Sequence, residues 1–160
     1  MTNRPERRPD YFQALWLADR SSQNEANGRA MSESETPVEW AYEFWDELIE
    51  NLRHRDGHNR AIAAQLLCNL AKCDPEERIL SNLSRVVEVT RDERFVTARH
   101  CLQSLWKIGV VGPAHRDRLV DMLAERFEGC GAARAPVHIG RVRAKAPDHG
   151  PAFRCRNLPC

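Results

Sequence analysis

Glycine and aromatic residues are scarce in this chain, with 8 Gly, 5 Phe, 4 Trp and 2 Tyr among 160 residues. The glycine patterns that cradle phosphates, Gly-x-Gly-x-x-Gly and the P-loop, do not occur, so nucleotide chemistry of those kinds has no support. Gly-x-Ser-x-Gly and His-Glu-x-x-His are also missing, which removes α/β-hydrolase and zinc-protease readings. No apolar run approaches the roughly 18 residues of a bilayer span. Nor does an apolar stretch follow the basic start Met1-Thr2-Asn3-Arg4-Pro5-Glu6-Arg7-Arg8, so neither a membrane span nor a secretory signal is expected. Nothing reads as strand. Even Val86-Val87-Glu88-Val89 continues a helical face begun by Ile79, Leu80 and Leu83.

A hydrophobic fraction of 42%, a charged fraction of 29% and a net charge of +1 exclude collagen-like, wholly disordered and strongly nucleic-acid-steered chains. Six cysteines without an export signal fit reduced thiols in a cytoplasmic protein. The near-neutral charge is the sum of three unlike pieces. Residues 1–36 carry five arginines against six acids, residues 37–128 thirteen Lys/Arg against sixteen acids, and residues 129–160 six Lys/Arg against Asp148 alone. In the first piece, Tyr11 to Ala18 is a short helical candidate and Ser21 to Glu35 reads as a solvated linker. The last piece, interrupted by Pro136, Pro147, Pro151 and Pro159, reads as disordered.

The middle piece reads as helical. Thr36-Pro37-Val38-Glu39 predicts a capped helix start, with Pro at the first helical position and Glu at the third. Asp74-Pro75-Glu76-Glu77 repeats the device, and Gly112-Pro113 is a weaker version. Gly109 suits a left-handed C-terminal cap. The chain is also self-similar. A shift of 35 residues places Phe44, Trp45, Leu48 and Leu52 on Ile79, Leu80, Leu83 and Val87, and Ala63, Leu66, Leu67 and Leu70 on Ala98, Cys101, Leu102 and Leu105. A further shift of 40 carries the first of these stripes onto Leu119, Val120, Leu123 and Phe127. Helices are therefore expected at 37–53 with 58–72, at 75–89 with 93–108, and at 113–128 without a partner. Each has an apolar stripe that it cannot bury alone.

The Asp-containing turns Arg55-Asp56-Gly57 and Arg91-Asp92-Glu93, and the helix ending Leu105-Trp106-Lys107-Ile108-Gly109, resemble the HEAT-repeat family, including the short HEAT-like repeats of the armadillo-type superhelix. The resemblance covers residues 37–128. It implies an all-α fold, a short right-handed α-solenoid of antiparallel helix pairs with about two and a half repeats between disordered ends. It also implies binding to another protein through the stacked second helices, without chemistry of its own. The family's Val-Arg pair early in the second helix is absent, with Ala61-Ile62 and Thr97-Ala98 nearby. Its Asp–Arg ladder between repeats is therefore not carried over. The tetratricopeptide Trp-x-x-Leu-Gly-x-x-Tyr pattern is missing.

Outward positions of the second helices, opposite the core stripes, are Gln65, Cys68, Asn69 and Lys72, and by the 35-residue shift His100, Gln103 and Lys107. Trp106 matches Ala71, beside the core stripe. These eight are the candidate partner-binding residues; no catalytic residue, metal or cofactor is expected. HEAT-like repeats also occur in bilin lyases, and that resemblance would give Cys68 or His100 a tetrapyrrole to hold. A third reading, DNA-lesion binding, draws on Arg53, His54, Arg55, His58 and Arg60 and on Arg91, Arg94, Arg99 and His100. Acids interleave with these bases, and nucleic acid is not the expected partner. His54-Arg55-Asp56 copies the kinase catalytic-loop triplet, but Ala61 stands where its Asn belongs. Cys130, His138, His149, Cys155 and Cys160 contain only one closely spaced pair, which disfavours zinc. The uncovered stripe of Leu119, Leu123 and Phe127 offers self-association as the alternative.

The third repeat breaks off where Cys130-Gly131-Ala132-Ala133-Arg134-Ala135-Pro136 begins. An Arg/Ala/Pro/Gly-rich tail is what reading a GC-rich gene out of frame tends to produce, and residues from about Gly129 onward are read either so or as a genuine basic tail. Translating the other frames downstream of the Phe127 codon is expected to reveal a helix with Leu/Ala periodicity; finding none removes the idea.

Overall fold

A computed structural model describes residues 9–131, with side chains through Glu128. Every regular element among the described residues is helical. A 3-10 helix, Asp10–Trp16, precedes α1 (Arg20–Glu33), α2 (Ala41–Asn51), α3 (Gly57–Leu70), α4 (Arg78–Glu88), α5 (Phe95–Ser104), α6 (Trp106–Gly109) and α7 (Pro113–Gly131). Short 3-10 turns, Ala71–Cys73 and Val89–Arg91, end α3 and α4. Residues 129–131, expected to begin the disordered tail, instead continue α7; the rest of the tail and the side chain of Cys130 lie outside the described residues, and with them the His and Cys candidates.

The expected linker is a helix. Asp19 caps α1 by accepting a hydrogen bond from the Ser22 backbone N–H at 2.9 Å. Gln23, Ala26 and Ala30 then form a narrow buried stripe at helical spacing. Its small side chains escape a search for large apolar residues, yet they let α1 lie close to its neighbours. Tyr11 of the leading 3-10 helix donates to Glu33 at the far end of α1, and the Arg29 guanidinium lies 4.4 Å from the Tyr11 ring centroid. Burial first, and then the Glu33 hydrogen bond, hold the Tyr11 hydroxyl above its ordinary pKa. Phe12 stacks on Phe44 of α2 and meets Trp40 edge-on at 5.3 Å. Trp16 donates its indole N–H to Glu47 at 2.5 Å, so the N-terminal segment belongs to the same core.

Three expected helix signals act differently. Thr36 donates to the Glu33 carbonyl at 3.3 Å, so it closes α1, and α2 starts only at Ala41. Asp74 reaches past the expected first turn and accepts from the Ile79 N–H at 2.6 Å. Its other oxygen accepts from the Tyr42 hydroxyl, so α4 starts at Arg78 after Glu77 takes a left-handed φ of 52°. Gly109 ends α6 without a left-handed conformation. The expected helix over 93–108 also divides at Leu105.

Helix α3 packs against α1, α2, α4, α5 and α6. Apolar residues supply most of its burial, including Ile62, Leu66, Leu67 and Leu70. Its two buried asparagines are paired. Asn59 accepts from Gln23 at 2.6 Å, and Asn69 donates to Ser34 at 3.0 Å. At its N-terminus, Asp56 caps the helix and accepts from Arg20. Arg60 forms a two-point pair with Asp92, at 2.5 and 2.8 Å. The Val-Arg signal is absent, but arginines one and four residues after the preceding Asp perform the bridging.

Residues related by the 35-residue shift are not equally covered. Leu67 and Ala71 are inaccessible, whereas Leu102 and Trp106 are exposed. Along α7, Leu119 is buried, Leu123 is half-buried and Phe127 is exposed.

The Arg60 and Asp92 side chains are only 14% and 5% exposed. Asp92→Ala leaves Arg60 with the His54 and Arg55 carbonyls alone and is expected to cost about 3 kcal/mol at neutral pH. The Arg60 hydrogen bonds hold the Asp92 carboxyl below its usual pKa. The stabilisation is therefore present above about pH 4 and lost as pH falls through the lowered value. Urea unfolding at several pH values should show wild type and variant converging in acid.

Candidate protein-binding groove

A groove of about 420 Å³ lies between the C-terminal end of α3 and the α6 segment, lined by Glu35, Cys68, Asn69, Lys72, Trp106, Lys107, Val110 and Val111. Asn69 organises it. Its amide nitrogen donates to Ser34, and its oxygen accepts from the Lys107 ammonium. Lys72 donates to the Glu35 backbone carbonyl at 2.6 Å. Both ammonium groups thus rest on neutral oxygens. Beside them, Trp106 is 60% and Val110 71% exposed.

Five of the eight sequence-predicted residues meet here: Cys68, Asn69, Lys72, Trp106 and Lys107. Two of them do not face outward as expected. Cys68 and Asn69 are buried, Asn69 against Met31 and Ser34 at the end of α1, on a side of α3 that a linker would have left open. Asn69 therefore acts as a bracket between α1 and Lys107. Gln65 is half-buried, one turn before Asn69 on α3, and Gln103 is exposed; neither lines the groove. His100 lies in a separate hollow of about 470 Å³ with His58, Ala61, Arg94, Phe95, Val96 and Thr97. Burial, reinforced by the Arg20 charge, lowers the His58 pKa.

Glu35, Val110 and Val111 were absent from the predicted set. Glu35 contributes through its backbone, which carries no side-chain signal. Val110 and Val111 did carry one: two valines between Gly109 and Gly112 continue no helical stripe, as expected of side chains left at a surface turn.

Two of the three described thiols, Cys68 and Cys101, are buried. Burial raises the Cys68 pKa well above its ordinary value and pushes that of Cys101 up to about 12. The Cys101 thiol donates to the Val86 carbonyl at 3.2 Å. Cys68 offers no accessible thiolate to a tetrapyrrole. The first basic group is partly consumed within the fold, since Arg60 is tied to Asp92. Among the described residues, no group of three or more His, Cys, Asp or Glu side chains could hold a metal ion, and no helix is long and apolar enough to cross a membrane.

No family model, curated protein or solved structure matches this chain.

Brief labelling of the native protein with N-ethylmaleimide should modify half-buried Cys73 before Cys68 or Cys101. Peptide mass spectrometry, repeated in denaturant, is expected to show the two buried thiols reacting only on unfolding. Native labelling of Cys68 at the rate of Cys73 would contradict the burial argument.

Proposed function

We propose that this chain is a non-catalytic, HEAT-like protein-binding module, with another protein seated across α3, α5 and α6. In this reading α2 with α3 and α4 with α5 are successive antiparallel pairs of a short solenoid. The leading 3-10 helix and α1 form an additional unit before them, and α7 begins an incomplete one. The spacing of side-chain bonds supports the register. Arg20 to Asp56 spans 36 residues, Arg60 to Asp92 spans 32, and Lys107 to Asn69 spans 38. Polar links repeated at about one unit length are what stacking of similar units produces.

The observation that carries the function is the exposed Trp106 beside a preformed groove. A large aromatic side chain left in water next to valines and ammonium groups is a typical interface anchor. Free cysteines among the described residues suit a reducing, cytoplasmic setting. Self-association is a second reading, favoured by Val120 and Phe127 of α7, which are 57% and 55% exposed.

The test is affinity capture with the full chain, Trp106→Ala and Ser81→Ala, the last being an exposed position on α4 outside the groove. Quantitative mass spectrometry should find a set of proteins bound equally by wild type and Ser81→Ala. Trp106→Ala should reduce that set about tenfold or more, as loss of an interface anchor does. Identical sets for all three would remove the groove from the interface.

A further inference from the structure

We infer that the groove receives a protein segment carrying a carboxylate, Asp or Glu, next to an aromatic or aliphatic anchor. This inference rests on the protein-binding reading above and adds the partner's chemistry. Lys72 and Lys107 each donate to an uncharged oxygen, the Glu35 carbonyl and the Asn69 amide, and neither has a carboxylate within ion-pair distance among the described residues. An ammonium has three donors, so each lysine keeps hydrogen-bonding capacity and an unneutralised charge. Lys107 is half-buried, where a charge is screened less than at an open surface. The acid lining the groove, Glu35, is exposed and uses its backbone carbonyl to position Lys72.

Trp106 and Val110 provide the apolar half of the site. A purely apolar partner would leave the two ammonium groups facing it without a counter-charge, and a basic one would add repulsion. The chain's own residues 132–160, with six Lys/Arg and one acid, have the wrong sign for this groove. A partner with both an anchor and a carboxylate satisfies the two halves together. The carboxylate replaces a neutral contact with a charge-assisted one, and the anchor covers the indole.

The experiment is a display selection of random twelve-residue peptides on the immobilised full-length protein, followed by fluorescence anisotropy with the enriched peptides. Enriched sequences should place Asp or Glu within a few residues of Trp, Phe, Leu or Ile. Affinity should fall at least tenfold with Trp106→Ala and with Lys72→Glu, and should weaken as salt rises. Lys72 is exposed, and circular dichroism verifies that its variant is folded; Lys107→Met, which retains an apolar side chain of similar length, is the second charge-removing variant. Peptides that depend on Trp106 but carry neutral or basic residues overturn the acidic-partner inference while leaving protein binding intact. Absence of any Trp106-dependent peptide overturns both. Sedimentation showing self-association abolished by Lys72→Glu assigns the groove to a second copy and also overturns the inference.

Discussion

Burying α3 on most of its circumference is the constraint around which the other helices are arranged. Eleven of its fourteen residues are buried, and two of these, Asn59 and Asn69, carry amides that are costly to leave unpaired. Their partners are Gln23 near the start of α1 and Ser34, the residue that caps its end. Close approach also matters at the start of α3. A Cβ on Gly57 would lie 2.8 Å from the Thr97 hydroxyl, which donates to the Gly57 carbonyl. The helix is thus positioned by apolar packing along its length and by a few specific polar contacts at its ends.

The same packing explains why a groove exists. α3 has α1 and α5 among its neighbours, and Leu67 and Ala71 are covered. At the corresponding places beyond, Leu102 and Trp106 face water. Leaving an indole exposed forgoes burial worth about 25 cal/mol for each Å² of apolar surface. Asn69 then links the two sides, because the amide that satisfies Ser34 also orients Lys107. One buried side chain thus holds α1 and positions a lysine of the groove.

Much of the helical architecture was legible because large apolar residues recur at helical spacing. Phe44, Trp45 and Leu48, and Ile79 and Leu83 at the 35-residue shift, are all inaccessible. The omission was α1, whose buried stripe consists of Gln23, Ala26 and Ala30. A glutamine and two alanines contribute little hydrophobic contrast, and Gln23 finds its Asn59 partner 36 residues away. That omission propagated to the site, where Asn69 was assigned to a free face. The helix starts at Thr36 and Asp74 were displaced for a related reason. Thr36 found the Glu33 carbonyl, and Asp74 found Tyr42, a contact between distant residues that local spacing does not encode.

The polar links between helices bear on the order of assembly. Among the described residues, the side-chain hydrogen bonds between helices join positions from 8 to 40 residues apart, so each helix is tied to elements made shortly before it. Folds of this kind close small loops and form quickly. Each newly made helix can meet partners already emerged from the ribosome, and α3 can acquire its α1 and α2 contacts before α7 has been synthesised. Structure formation can therefore keep pace with translation, leaving the most recently made end as the last to acquire its contacts.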